Sequence, residues 1–431
     1  MLFKNITIIN ENFNVQENMY VATKGEKIVY VGDIEPSVNY GEIYDGKNKL
    51  LMPGFYNAHG HSAMSLMRGF GENLPLKDWL TNKIFPFEDK LYRKAVYWAT
   101  QLTMAESIKF GIVSTTDMYY FIDDMVRAIV RTGEKCNVSR AVVNPTGEEP
   151  EKLESFTEMK EAAITYHGFK NNKILVDNSI HAEYTSDEKT VRTVSEYTKD
   201  MGLGMHVHIA ETEFETAECM KRHNGKSPVQ YFNQLGLFDS RTTAAHCVWL
   251  INEDLDILKE KDVTVASNPI SNLKLASGIC NVPKLYEKGI NVALGTDSVA
   301  SNNSLNFFEE MKTLALLGKI KNNDPSLMKP KQVLFSATRA GAISQGRMDC
   351  GLIKDGFKAD MIVVDLNEPN MQPVHELTNN LVYSASGGDI VLTMVDGRVL
   401  YKNGEYLTVD LESVIYETNY AKNKILGCLN K

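Results

Sequence analysis

Two histidines with one glycine between them, His59-Gly60-His61, close the apolar run LMPGFYNAHGH over residues 51–61. In an extended strand, side chains two residues apart project to the same face. Both imidazoles then aim at one point and can act as neutral ligands to one metal ion. Gly60 leaves room for close backbone approach, and Pro53-Gly54 upstream starts a new unit. By itself the pair reads equally well as two incidental histidines. Other ionisable residues change that balance: His181 ends ILVDNSIH, His206 and His208 stand in LGMHVHI with Glu211 just beyond, His246 lies in TTAAHC, and Asp297 ends INVALGTD. Three imidazoles and a carboxylate suit Zn²⁺ or another first-row divalent ion, with one position left for water. Such an ion lowers the pKa of that water toward ~7. A carboxylate that carries a proton, with a histidine and an aspartate to orient the water, completes a site for hydrolysis at an electrophilic carbon. His206 lies one pleat deeper than His208 on the same face and reads as a packed histidine. His223 and His375 read as surface residues and His167 as a helix-end residue.

These residues must be positioned by strand ends. Strands are expected at 51–61, 111–117, 139–144, 174–181, 203–209, 242–247, 263–268 and 290–297. Helix-length apolar periodicity separates most of them, as at 95–110, 123–132, 188–201 and 253–259. Strands alternating with helices over such a length are the pattern of an α/β protein with a (β/α)8 barrel, whose reacting groups gather at the C-terminal strand ends. Residues 1–50 read as short strands turning at Lys24-Gly25, Gly32-Asp33 and Asp45-Gly46. From residue 353 a second β-rich stretch follows, with hairpin signals at Asp396-Gly397 and Asn403-Gly404, then a helix over 413–429. The expected organisation is a hydrolase barrel over 53–352 and one small β-sandwich built from 1–52 and 353–431.

Composition narrows the partners. With 431 residues, 43% apolar residues and a net charge of -9, the chain can bury a sizeable core but is a poor match for nucleic acid or an anionic membrane surface. A small-molecule substrate is expected. Six scattered cysteines include no Cys-x-x-Cys pair, which argues against a zinc ribbon or disulfide framework and fits a reducing compartment. The N-terminal segment MLFKNITIINENF lacks the apolar region of a signal peptide, and no apolar run approaches the ~18 residues of a membrane span. A cytoplasmic protein is expected, and a homo-oligomer is the default for a chain of this size.

The ordered set LMPGFYNAHGHSAMSLMRG, DWLTNKIFPFE, SIHAEYT, MHVHIAET, AAHC, SNPISNLKLASG, GTDS and GLIKDGFKADMIVVD resembles the amidohydrolase superfamily. More narrowly it is similar to the 5-methylthioadenosine/S-adenosylhomocysteine deaminases, in the group that also holds chlorotriazine hydrolases and guanine deaminases. The resemblance implies His59, His61, His208 and Asp297 as metal ligands, Glu211 as proton shuttle and His246 as the residue that orients water. Binuclear relatives carry a carbamylated lysine where His181 stands, which implies a single ion here and a substrate contact for His181. It implies Glu88, after Phe85-Pro86, as the partner of two ribose hydroxyls, since a carboxylate accepts both. It places Arg140 near the substrate and puts Lys152 where a second arginine is usual; lysine keeps the charge but lacks the bidentate fork. Glu183 replaces a usual proline and brings a negative charge close to the site.

The function so implied is hydrolytic deamination of 5-methylthioadenosine, S-adenosylhomocysteine or adenosine to the inosine analogue and ammonia. The ion is expected to be Zn²⁺, with Fe²⁺ or Mn²⁺ as alternatives. Two other readings stand beside it. One is a deaminase or chlorohydrolase of guanine or another substituted N-heterocycle. The other is an inactive scaffold on the same fold, which the complete ligand set disfavours.

Overall fold

Eight parallel strands run in chain order through the middle of the computed structural model, which describes residues 1–429. They are Phe55–Gly60, Ile112–Met118, Lys135–Ser139, Ile174–Ile180, Gly204–Ile209, Thr242–His246, Thr264–Ser267 and Val292–Leu294. Each pairs with the next, and Ala141–Val142 extends the third strand along the fourth. The barrel closes where Asp297 donates its N–H to the carbonyl of His59 at 3.0 Å, a bridge beside Gly60. Helices Arg93–Lys109, Ile122–Thr132, Glu188–Asp200 and Asn252–Glu260 fill connections where periodicity predicts them. Local chemistry sets their ends. Asp187 accepts from Thr190 N–H at 2.9 Å to start one, and Gly133 in the left-handed region stops another.

The eighth strand is shorter than expected, Val292–Leu294 within 290–297, and two other boundaries differ for physical reasons. The run 51–61 is two strands, Lys49–Pro53 and Phe55–Gly60, with Gly54 between them. A Cβ at Gly54 would collide with Val113, so only glycine lets the chain cross here from one sheet to the barrel. The third strand starts at Lys135 rather than Ser139, because Lys135 and Asn137 are polar side chains buried inside the barrel. Lys135 pairs there with Asp360 and Asp396, and Asn137 donates to Asp177 at 2.9 Å, so a polar stretch is strand.

The chain ends meet in one nine-stranded sheet, in which Lys49–Pro53 pairs antiparallel with Met361–Asp365. Strand alternation divides its side chains. Leu50, Met52, Ile362 and Val364 join the main core with Phe55 and Ile112, while Phe3, Ile8, Leu51, Met361 and Val363 form a core of the sheet's own. The N-terminal end of the barrel is plugged after helix Arg339–Ser344: Gln345 donates to the carbonyl of Asn57, and Arg347 to that of Cys136, each at 3.1 Å. No helix among the described residues is long and apolar enough to cross a membrane.

Candidate active site

Three strand ends bring four candidate ligand side chains together. His59 and His61 end the first strand, His208 stands in the fifth, and Asp297 follows the eighth. His61 Nε2 lies 3.3 Å and His59 Nε2 3.5 Å from Asp297 Oδ1, and His61 Nε2 lies 3.4 Å from His208 Nε2. A tetrahedral ion with bonds of ~2.1 Å sets its ligands about 3.4 Å apart, so this spacing fits a first-row divalent cation. The other nitrogen of each ring is already engaged. His61 Nδ1 contacts the carbonyl of Met118 at 2.7 Å, His208 Nδ1 that of His181 at 2.8 Å, and His59 Nδ1 contacts His206 Nε2 at 2.9 Å. A proton held at Nδ1 leaves the Nε2 lone pair for a metal. His59 Nε2 is buried with no hydrogen-bond partner, an unmet valence that a bound cation would fill. His206 thus stands behind His59, as a packed histidine.

Electrostatics fit the same role. Burial lowers His59 to about 3 and drives His208 well below the usual imidazole range, so both offer lone pairs at neutral pH. Burial also lowers His61, but the hydrogen bond and charge of Asp297 outweigh it and lift the ring to about 9. Burial raises Asp297, and His59 and His61 outweigh that and hold it far below the usual carboxylate range.

Glu211 and His246 flank the ligands, with His246 Nε2 3.9 Å from Glu211 Oε2. Burial raises the Glu211 carboxyl against the pull of His246, which favours a group that holds a proton. Glu215, four residues on, fixes the backbone under it. Its two oxygens accept from Ala210 N–H at 2.9 Å and Glu211 N–H at 2.8 Å, and Ala210 sits in the left-handed region at φ 50°. Burial, with Glu211 beside it, pushes Glu215 up to about 7. The Glu211–Glu215 spacing in HIAETEFE was a signal for this clamp that the sequence reading left unused.

The remaining candidates separate into two groups. The His181 ring lies 4.7 Å from the His208 ring, its Nδ1 is buried without a partner, and burial lowers it to about 4. Glu88 sits half-buried at the end of Phe85–Glu88, after a single π turn over Leu80–Ile84. Burial lifts its carboxyl to about 7, opposed by Tyr119, Tyr120 and the charge of His61. Arg140 lies over the Tyr120 ring at 4.8 Å, but its Nε donates to Glu158 at 2.5 Å. Lys152 is exposed on the turn Pro150–Lys152, and among the described residues it makes no hydrogen bond or ion pair with the cluster.

Glu183 does not present its charge to the site. His223 Nε2 lies 2.6 Å and Arg222 Nε 3.3 Å from its Oε1, and the His223 ring stacks on Tyr231 at 3.7 Å. His223 is therefore part of an ion-paired network and not a bland surface histidine. Cys219 joins these residues as a further ligand-type side chain, but the carboxylate is already answered by Arg222 and His223. His375 is exposed and His167 caps Glu154–Tyr166, as their surroundings in the sequence suggest.

A barrel with three histidines and an aspartate at its C-terminal mouth defines a metal-dependent hydrolase architecture, and the chain belongs to the amidohydrolase family, which matches residues 50–400. Among named relatives, it is 39% identical over 417 residues to a 5-methylthioadenosine/S-adenosylhomocysteine deaminase of Dictyoglomus thermophilum, covering 97% of each chain. It is also 39% identical over 414 residues to a 5'-deoxyadenosine deaminase of Methanosarcina acetivorans, covering 96% of this chain and 95% of that one. A crystal structure of an adenosine deaminase from Xanthomonas campestris with bound zinc superposes with a TM-score of 0.93 at 28% identity, over 99% of this chain and 98% of the other.

Proposed function

We propose that this chain deaminates 5'-substituted adenosine nucleosides by hydrolysis, with 5-methylthioadenosine and S-adenosylhomocysteine as the substrate class. The observation that carries the reading is the placement of Glu211, whose carboxyl burial raises, and of His246 beside the convergent histidines and Asp297. His59, His61, His208 and Asp297 would hold a single divalent ion, zinc for preference and Fe²⁺ or Mn²⁺ otherwise. That ion, when bound, makes hydroxide available at neutral pH.

The chain's own groups do the rest. His246, with Nδ1–H directed at Asn272 Oδ1 2.8 Å away, keeps an Nε2 lone pair to orient the attacking water toward C6 of the purine. Asp297 takes a proton from that water, and Glu211 delivers one to the ring nitrogen beside C6, which makes the carbon more electrophilic. Asp297 passes its proton to the exocyclic nitrogen, Glu211 takes the proton of the new C6 hydroxyl, and the C6–N bond breaks to release ammonia. His181 contacts the purine or ribose, and Glu88 accepts from the two ribose hydroxyls.

At the 5' end the side chains favour an uncharged substituent. Arg140 is engaged by Glu158, and Lys152 stands exposed. In the segments that follow the strands, Phe85, Val143, Tyr184, Phe214, Trp249 and Leu273 keep apolar surface exposed, which would suit a methylthio group. Unpaired cysteines support a reducing, cytoplasmic setting, and a homo-oligomer completes the reading. The test is ammonia release from zinc-loaded protein with methylthioadenosine, S-adenosylhomocysteine, adenosine, adenine and guanine. Turnover of the thio-nucleosides, with methylthioadenosine ahead, is the expected result; turnover of free bases alone would overturn the nucleoside assignment.

A further inference from the structure

The segment SNPISNLKLASG carries no ligand and no reacting group of the proposed mechanism, yet it buries polar side chains against His246, Asp297 and Glu211. It leaves the seventh strand, forms helix Pro269–Lys274 and returns at Gly278. Three of its polar side chains, Ser271, Asn272 and Ser277, are almost wholly buried. A buried hydroxyl or amide is expected to be satisfied by whatever neighbour is convenient. Here each meets a different group of the site. Asn272 Oδ1 lies 2.8 Å from His246 Nδ1, Ser271 Oγ donates to Asp297 Oδ2 at 2.5 Å, and Ser277 Oγ donates to Glu211 Oε1 at 3.4 Å.

We propose that this loop is a positioning device for the reaction, with Asn272 setting the ring of His246, Ser271 the carboxylate of Asp297, and Ser277 the carboxylate of Glu211. The proposal rests on the assignment of those three groups made above. Asn272 accepts from Nδ1–H and so fixes the tautomer that points a bare Nε2 into the site. The 2.8 Å contact prevails over the 3.3 Å approach of Asn268 Nδ2 to the same nitrogen. Ser271, joined by Ser301 Oγ at 3.0 Å, occupies Asp297 Oδ2 and turns Oδ1 alone toward His59 and His61. The carboxylate is thereby held to one oxygen on the ligand side. Ser277 donates to the Glu211 carboxylate, while the Glu211 N–H donates to Glu215.

The loop is stiff enough for the task. Its helix opens with Pro269 at the first position, where no N–H is needed. Glu310 Oε2 accepts from Ile270 N–H at 3.3 Å, and Lys274 Nζ donates to Glu72 at 2.9 Å and to the carbonyl of Ala300 at 3.1 Å. Trp249 Nε1 donates to the carbonyl of Ser277 at 2.6 Å. Gly278, at φ 126°, has no room for a Cβ beside Val248 and Trp249, so the loop ends locked against the one that follows His246. One rigid segment thus touches groups from the fifth, sixth and eighth strands.

The experiment uses full-length protein and two readouts. In steady-state kinetics, Asn272→Leu lowers kcat by about 10–100-fold with KM little changed, the range seen when a partner of a functional histidine is removed. Asn272→Asp, which keeps the acceptor, recovers most of it. In chelator competition with Zn²⁺ and no substrate, Ser271→Ala weakens metal affinity by about 10-fold and Ser271→Thr restores it. If Asn272→Leu does not fold, Asn272→Ser, too short to reach Nδ1, takes its place. Wild-type kcat for the Asn272 variants together with wild-type metal affinity for Ser271→Ala overturns the proposal. The metal titration needs no substrate, so it stands even if the nucleoside reading fails, and a wild type that turns over another heterocycle allows the kinetic arm to be run on that compound.

Discussion

At the N-terminal end of the barrel, Lys135 reaches Asp360 and stands 2.7 Å from Asp396, and Tyr56 donates to Asp360 at 2.5 Å. At the C-terminal end, His59 Nε2 and His181 Nδ1 are just as deeply buried and have no hydrogen-bond partner. Both ends take titratable groups out of water, which is costly unless each is answered. The floor answers its charges from within the chain, between the third strand and the sheet made from the chain ends. The mouth holds its polar atoms at the spacing of an ion and leaves them for something else to satisfy. Stability and function are thereby separated along one barrel axis. A substitution at the floor is felt by the fold, and one at the mouth by the reaction.

The sharpest way to test that separation is a pair of variants. Glu211→Gln removes the proton carrier and keeps the shape. It lowers kcat by about 10²–10⁴-fold, while metal content and melting temperature stay at wild-type values. Loss of bound metal in this variant would mean that the mouth is not independent of its reacting groups. Lys135→Met does the opposite. It leaves Asp360 buried without its cation, while Asp396 keeps Lys173 at 3.2 Å, and destabilises the fold by about 3–5 kcal/mol. Urea unfolding monitored by circular dichroism measures the loss, and the molecules still folded retain the wild-type KM.

Metal removal comes next in size. A ligand present at 100–1,000 times its Kd stabilises the folded state by about 3–4 kcal/mol. Chelation therefore abolishes activity and lowers the melting temperature of the wild type, and has no thermal effect on Asp297→Ala, which has already lost a ligand. An equal thermal shift in both would show that the ion sits elsewhere.

The floor also has an acid signature. Burial raises the Asp360 carboxyl, but Lys135 and the donors from Tyr56 and Asp396 outweigh it and hold it at about 2. An unfolded aspartate titrates near ~3.9. A depressed native value contributes stability that is complete above the unfolded pKa and is lost as pH falls through the native one. Urea midpoints should accordingly decline between about pH 4 and pH 2, with a shallower decline in Asp360→Asn. An identical slope in the variant would remove Asp360 as the cause.

The sequence discloses the mouth more readily than the floor, for a physical reason. Histidine is rare, and an imidazole at a strand end has few roles, so His59, His61, His208 and His246 stand out one by one. Lys135 in KCNVS looks like the start of a loop, because its partner Asp360 lies 225 residues away and periodicity sees only neighbours. The same limit hid Ser271 and Asn272. Serine and asparagine are ordinary loop residues, and only the folded chain shows that one faces Asp297 and the other His246. Helix periodicity, which is local, places the helices at 95–110, 123–132, 188–201, 253–259 and 413–429 to within two residues, whereas the third strand, whose polarity depends on distant partners, begins four residues before its expected start.

Glu183 offers the finest test, because it stands at the mouth and is built like the floor. It follows His181 by two residues, but its carboxylate turns to Arg222 and His223, at the C-terminal end of helix Glu213–Arg222. If proximity to the site decided its role, Glu183→Gln would change the reaction. If the answered charge decides it, the change is one of stability. The amide keeps one acceptor and loses the charge, and a hydrogen bond to a charged group contributes roughly 1.5–3 kcal/mol. The Arg222 side chain is 42% exposed, so solvent screening brings the expected loss to the lower part of that range. Glu183→Gln should thus shift the urea midpoint modestly and leave kcat within a few-fold of wild type. A fall in kcat with an unchanged midpoint would move Glu183 into the site and show that the boundary between the two kinds of buried charge runs closer to His181 than its ion pairs imply.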